Sequence, residues 1–81
     1  MGLTKKDTFS KTVTNGTLDV PSFNQGWIAN DGGGDLTLTF ANNDVLVLKP
    51  LEQHRWEYMD CLFKGYKASG VATTFRVTWV S

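Results

Sequence analysis

Few side chains in this 81-residue chain are equipped for chemistry, and their spacing decides what they can do. His54 is the only histidine and Cys61 the only cysteine. A Cys–His nucleophile pair needs an activated thiolate, whereas Cys61 precedes Leu62 and Phe63, a setting in which cysteine serves as a small core residue. No serine stands in a G-x-S-x-G or comparable context, so a Ser-His-Asp triad has no frame. Asn30, Asp31 and Asp35 carry the oxygens that hard cations take, but the EF-hand spacing and its closing bidentate glutamate are missing. That segment is read as a turn. Gly32-Gly33-Gly34 is followed by no phosphate-loop lysine and lacks a strand–loop–helix frame. The expectation is a protein with no catalytic residues, no metal and no cofactor, and therefore not an enzyme.

Aromatic side chains make the better case for a site. Trp27, Trp56, Tyr58, Tyr66 and Trp79 are many for a short chain, and exposed rings stack on sugar faces or anchor protein interfaces. Trp79 shares its parity with Phe75 and Val77 and is expected inside. Trp56 and Tyr58 share a face in a segment mixed with Arg55 and Glu57, which makes them the leading candidates for a surface patch, with core packing as the competing reading. Trp27 and Tyr66 complete the candidate interface or glycan-stacking set.

The elements that must position these residues read as strands throughout. Leu36, Leu38 and Phe40 alternate with Thr37, Thr39 and Ala41, and Val71, Thr73, Phe75, Val77 and Trp79 repeat the two-residue period. Thr8 to Thr14 alternates as well, and Asn15-Gly16 predicts a two-residue hairpin turn leading into Leu18 and Val20, with Pro21 as a stop. Phe23 to Ala29 is expected as a strand weakened or bulged at Gly26. Residues 30–35 are expected to close a hairpin, their glycines supplying unusual backbone angles, and Asn42-Asn43 a second one. The near-continuous apolar run from Val45 to Leu48 predicts burial on both faces. His54 to Tyr58 alternates, Cys61 to Tyr66 extends as a further strand with a helical turn within 51–62 as the alternative, and Lys67 to Gly70 reads as a turn. Phe40, Val47, Phe75 and Val77 are the expected core. The sum is an all-β domain: a small antiparallel β-sandwich or jelly-roll-like barrel of about seven short strands.

Composition bounds the function. A chain this short holds one core and buries roughly 60–65% of its unfolded surface. Its 41% hydrophobic and 12% aromatic content supports a packed interior, and 20% charged residues do not suggest disorder. Eight basic residues balance eight acidic ones, which removes the long-range pull that nucleic-acid and anionic-membrane binders use. No apolar stretch has the length of a membrane-spanning helix or the form of a signal peptide, so synthesis in the cytosol is expected. Residues 1–7 read as a flexible N-terminal arm before a single domain over 8–81. Lys5, Lys6 and Phe9 are the candidate docking residues at that end.

The segment from Gly26 to Ser81 resembles a pattern of small structural proteins of tailed bacteriophages. Asn30, Asp31 and Gly32 lead into the Leu36 to Thr39 strand; Lys49, Pro50 and Glu52 end a second hydrophobic strand; Gly70, Phe75, Arg76 and Trp79 mark the terminal one. The resemblance implies a virion component, such as a capsid decoration, head-fibre or tail accessory protein, without catalytic residues. Its expected partners are other virion proteins, the major capsid or tail protein among them, and further copies of itself, with no direct nucleic-acid or membrane contact. A carbohydrate-binding module using Trp56 and Tyr58 is the alternative.

Overall fold

The computed structural model describes residues 8–57 and 63–80. Six strands lie within them: β1 (Thr8–Val20), β2 (Gln25–Asn30), β3 (Leu36–Phe40), β4 (Val45–Leu48), β5 (Gln53–Glu57) and β6 (Tyr66–Val80). All pairings are antiparallel. β6 is the spine. It pairs β1 along one edge, while β2 and β3 share its other edge, β2 beside residues 75–80 and β3 beside residues 66–69. β5 then flanks β2, and β4 flanks β3.

This curled all-β sheet agrees with the expected sandwich or barrel class, but it is built from two long strands and four short ones. The reason lies at Asn15. Instead of a hairpin, Asn15 takes a positive φ of 51° inside β1 and forms a bulge, so Leu18 and Val20 continue the strand and do not return. Residues 71–73 of β6 stand opposite this single residue. The inward positions of β6 accordingly change parity, from Tyr66, Ala68 and Gly70 to Thr73, Phe75, Val77 and Trp79. A bulge that bends two paired strands lets both halves face one interior. Val71, expected to share the Phe75 face, is therefore left 83% exposed.

Lys67 to Gly70 likewise belongs to β6 and is not a turn. Gly70 is there for packing: a Cβ on it would stand 2.7 Å from Thr73 Cγ2 and 3.1 Å from the Phe75 ring. The loop at 31–35 joins β2 to β3 without pairing them, because both lie along β6. No described glycine has a positive φ. Gly34 serves close approach instead, since a Cβ there would meet the Ala72 carbonyl at 2.6 Å.

The β3–β4 hairpin forms as expected. Asn43 turns at φ 69°, its N–H bonds to the Phe40 carbonyl at 2.9 Å, and Asn42 Oδ1 accepts from the Asp44 N–H at 3.1 Å. β4 is not buried on both faces: it is an edge strand whose Leu48 points inward while Val45 and Val47 are exposed. Val47 thus leaves the expected core and Phe40 is only partly buried at its margin, whereas Phe75 and Val77 are fully enclosed. Val20, Phe23, Ile28, Leu36, Leu38 and Tyr66 complete most of a single cluster drawn from both halves. Phe23 precedes β2 and forms an isolated antiparallel bridge to Phe63. Its ring lies over Gly26, where a Cβ would come within 2.8 Å, so Gly26 makes room for the ring within a regular strand.

Candidate functional site

β5 presents His54 and Trp56 to one face and Gln53, Arg55 and Glu57 to the other. Trp56 is half-buried inside an aromatic cluster. It stacks on Tyr66 at 5.0 Å and 25°, and meets Phe23, Phe40 and His54 edge-on at 5.2, 6.3 and 4.6 Å. Such pairs add about 0.5–1.5 kcal/mol each beyond burial. The packing therefore favours the core reading of Trp56, which among the described residues also borders a cleft of about 360 Å³ with Phe40, Asn42, Phe63 and Lys64. Tyr66 is buried and offers no free ring face, and burial raises its phenol pKa well above the ordinary value. Tyr58 and Cys61 lie outside the described residues, as do Lys5 and Lys6.

Trp27 occupies the opposite, outward face of β2, between Arg55 on β5 and Thr78 on β6. Arg76 stands over its ring, 5.9 Å from the centroid. The same guanidinium grips Asp31 through two bonds, Nε to Oδ2 at 2.5 Å and Nη2 to Oδ1 at 3.2 Å, and this hydrogen bonding and charge raise the Arg76 pKa. Among the described residues, the buried Nε1 groups of Trp27 and Trp79 have no hydrogen-bond partner. An N–H without an acceptor in such a place is uncommon.

The loop weighed for cation binding is occupied by its own neighbours. Asp31 faces Arg76, and Asp35 meets Lys49 at 3.1 Å. Asn30 is a buried hub. Its Nδ2 donates to the carbonyls of Gly34 (2.8 Å) and Leu48 (2.9 Å), while Oδ1 accepts from Thr73 Oγ1 (2.5 Å) and from the Gly32 N–H (3.3 Å). Both donors and both acceptors of the amide are used. The side chain fastens the loop, the end of β4 and the bend of β6 together and has nothing left for a ligand. No three His, Cys, Asp or Glu side chains among the described residues converge as a metal site would require.

The third surface is β1. Among the described residues it pairs with β6 on one side only; it runs from Thr8 to Val20, and between Thr8 and Thr14 its register with β6 is unbroken. Its outward side chains there are Thr8, Ser10, Thr12 and Thr14; Ser10 and Thr14 meet Thr78 and Thr74 at 3.4 and 3.2 Å. Phe9, on the other face, stacks on Trp79 at 5.4 Å and is still 41% exposed. Phe9 thus belongs to a sheet edge.

No family model matches the chain, and no curated protein matches it in sequence. Solved structures do match in shape. A protein of unknown function from Vibrio parahaemolyticus superposes with a TM-score of 0.60 at 10% identity, over 98% of this chain and 80% of that one. A de novo designed double-stranded β-helix gives 0.53 at 14% identity over 91% and 95%. A sugar phosphate isomerase of the cupin superfamily from Silicibacter pomeroyi gives 0.51 at 14% identity over 95% of this chain and 51% of that one. At these identities the likeness defines the fold alone, a small β-barrel of the double-stranded β-helix kind.

Proposed function

We propose that this chain is a non-enzymatic assembly subunit, a virion structural protein of the capsid decoration or head and tail accessory type that its sequence resembles. The observation that carries the reading is the free edge of β1. A 13-residue strand with one side unpaired among the described residues presents a row of backbone donors and acceptors, and soluble proteins normally shorten, bend or cover such a row. Here the other outer strands are short, four residues in β4 and five in β5, while β1 is broken only by the bulge at Asn15. Its 8–14 stretch is rich in β-branched side chains and, with Phe9 exposed, combines an apolar anchor with a template for strand pairing.

Addition of β1 to a strand of a capsid or tail protein, or of a second copy, satisfies that row and removes Phe9 from water. Repetition over a lattice multiplies a modest contact into firm attachment. The test is the stoichiometry of the chain in purified particles of the phage that encodes it. The reading expects an integral ratio to the major capsid or tail protein. Recovery of the chain only in the soluble fraction of the infected cell would contradict it.

A further inference from the structure

The outward face of β5, β2 and β6 carries a second surface, independent of the β1 edge. Arg55, Trp27 and Thr78 form one row across these strands, and Glu57, Gln25 and Val80 the next. A cleft of about 200 Å³ is bordered by both rows and by Gly26, Trp56 and Trp79 of the row between them. We propose that it is a binding site for one neutral saccharide ring.

Four features specify that ligand. The volume lies below the roughly 300–1,000 Å³ of sites for drug-sized molecules, which suits a single ring. The indole of Trp27 and the side chain of Val80 give an apolar surface for the C–H face of a sugar. Around them Gln25 and Thr78 both donate and accept, Arg55 donates and Glu57 accepts, which matches hydroxyl groups that do both. Arg55 is 3.4 Å from Glu57, so the rim carries opposed charges; a simple anion would meet the Glu57 carboxylate and an apolar ligand would strip both ions of water. Arg76 covers part of the indole but lies outside the cleft wall. The Trp56 cleft fits less well, because its ring is already contacted by four others and its polar border is confined to Asn42 and Lys64.

The test is the indole N–H spectrum of the nitrogen-labelled chain, titrated with glucose, galactose, N-acetylglucosamine and maltose, and separately with inorganic phosphate. At least one sugar should move the Trp27 resonance in the millimolar range, and by more than that of Trp56, which also borders the cleft. Gln25→Ala and Arg55→Ala alter exposed side chains, so the fold persists; each should weaken binding about fivefold, the size of one lost hydrogen bond. Trp27→Phe should weaken it further. A titration in which no sugar moves Trp27, in which phosphate alone does, in which Trp56 responds instead, or in which these variants bind like the parent would overturn the proposal.

Discussion

The two sides of β6 solve the same bend differently. On one side β1 follows the spine through its whole length and absorbs the bend in the single residue Asn15. On the other the chain is cut into β2 and β3, and the cut is closed by Asn30, by the glycines that lie against residues 72–74 and by the outer strands β5 and β4. The divided side is where the buried polar network sits. The undivided side ends, among the described residues, in unpaired backbone. If β1 joins the proposed assembly, stability and assembly are separated: substitutions on the divided side and in the core should change the melting temperature, and substitutions on β1 should change association.

Phe75→Ala should break the core hardest, by about 3–5 kcal/mol in denaturant unfolding, since a fully enclosed ring is removed from between the two halves. Val47→Ala, on the exposed face of β4, should cost under about 1 kcal/mol. Equal losses would refute the face assignment. Asn30→Ala comes next, at about 2–4 kcal/mol, because the carbonyls of Gly34 and Leu48 and the hydroxyl of Thr73 lose their partner in a closed space. Gly70→Ala should cost about 1–3 kcal/mol through the clash with Thr73 and Phe75.

The smallest expected effect is alkaline. Burial raises the Tyr66 pKa in the folded state, whereas the unfolded phenol ionises near its ordinary value of about 10. The unfolded state therefore releases its proton first, and the stability held below that pH declines as pH rises through and beyond it. Melting curves taken across this range should fall for the parent. In Tyr66→Phe this part of the fall should disappear.

Much of the fold was legible in the two-residue periods. Leu36 and Leu38, and Phe75, Val77 and Trp79, are buried as their alternation requires, and the Asn42-Asn43 hairpin follows from local turn chemistry. What was not legible depends on distant partners. Asn15-Gly16 carries the same signal for a hairpin and for a bulge, and only the length of β6 beside it decides. Glycine has two uses, special backbone angles and close approach, and the glycines at 32, 34 and 70 have the second. In the candidate surfaces, parity put Trp56 on one face with Tyr58, which lies outside the described residues, but could not say that Phe23, Phe40 and Tyr66 would pack against Trp56. The role of Asn30 was hidden for a similar reason, since Leu48 and Thr73 are remote in sequence; its place at the end of a β-strand before Asp-Gly was the available signal.

The central claim is that the open side of β6's partner is a joining surface. Size exclusion with light scattering, performed on the chain alone and then with purified particles, tests it directly, alongside a variant in which Thr12→Lys and Phe9→Lys place charge on β1. The account predicts that the parent forms species larger than the 9.0 kDa subunit or co-migrates with the particle, and that the variant stays folded and free. A parent that remains a monomer at every concentration and leaves the particle unbound would contradict it.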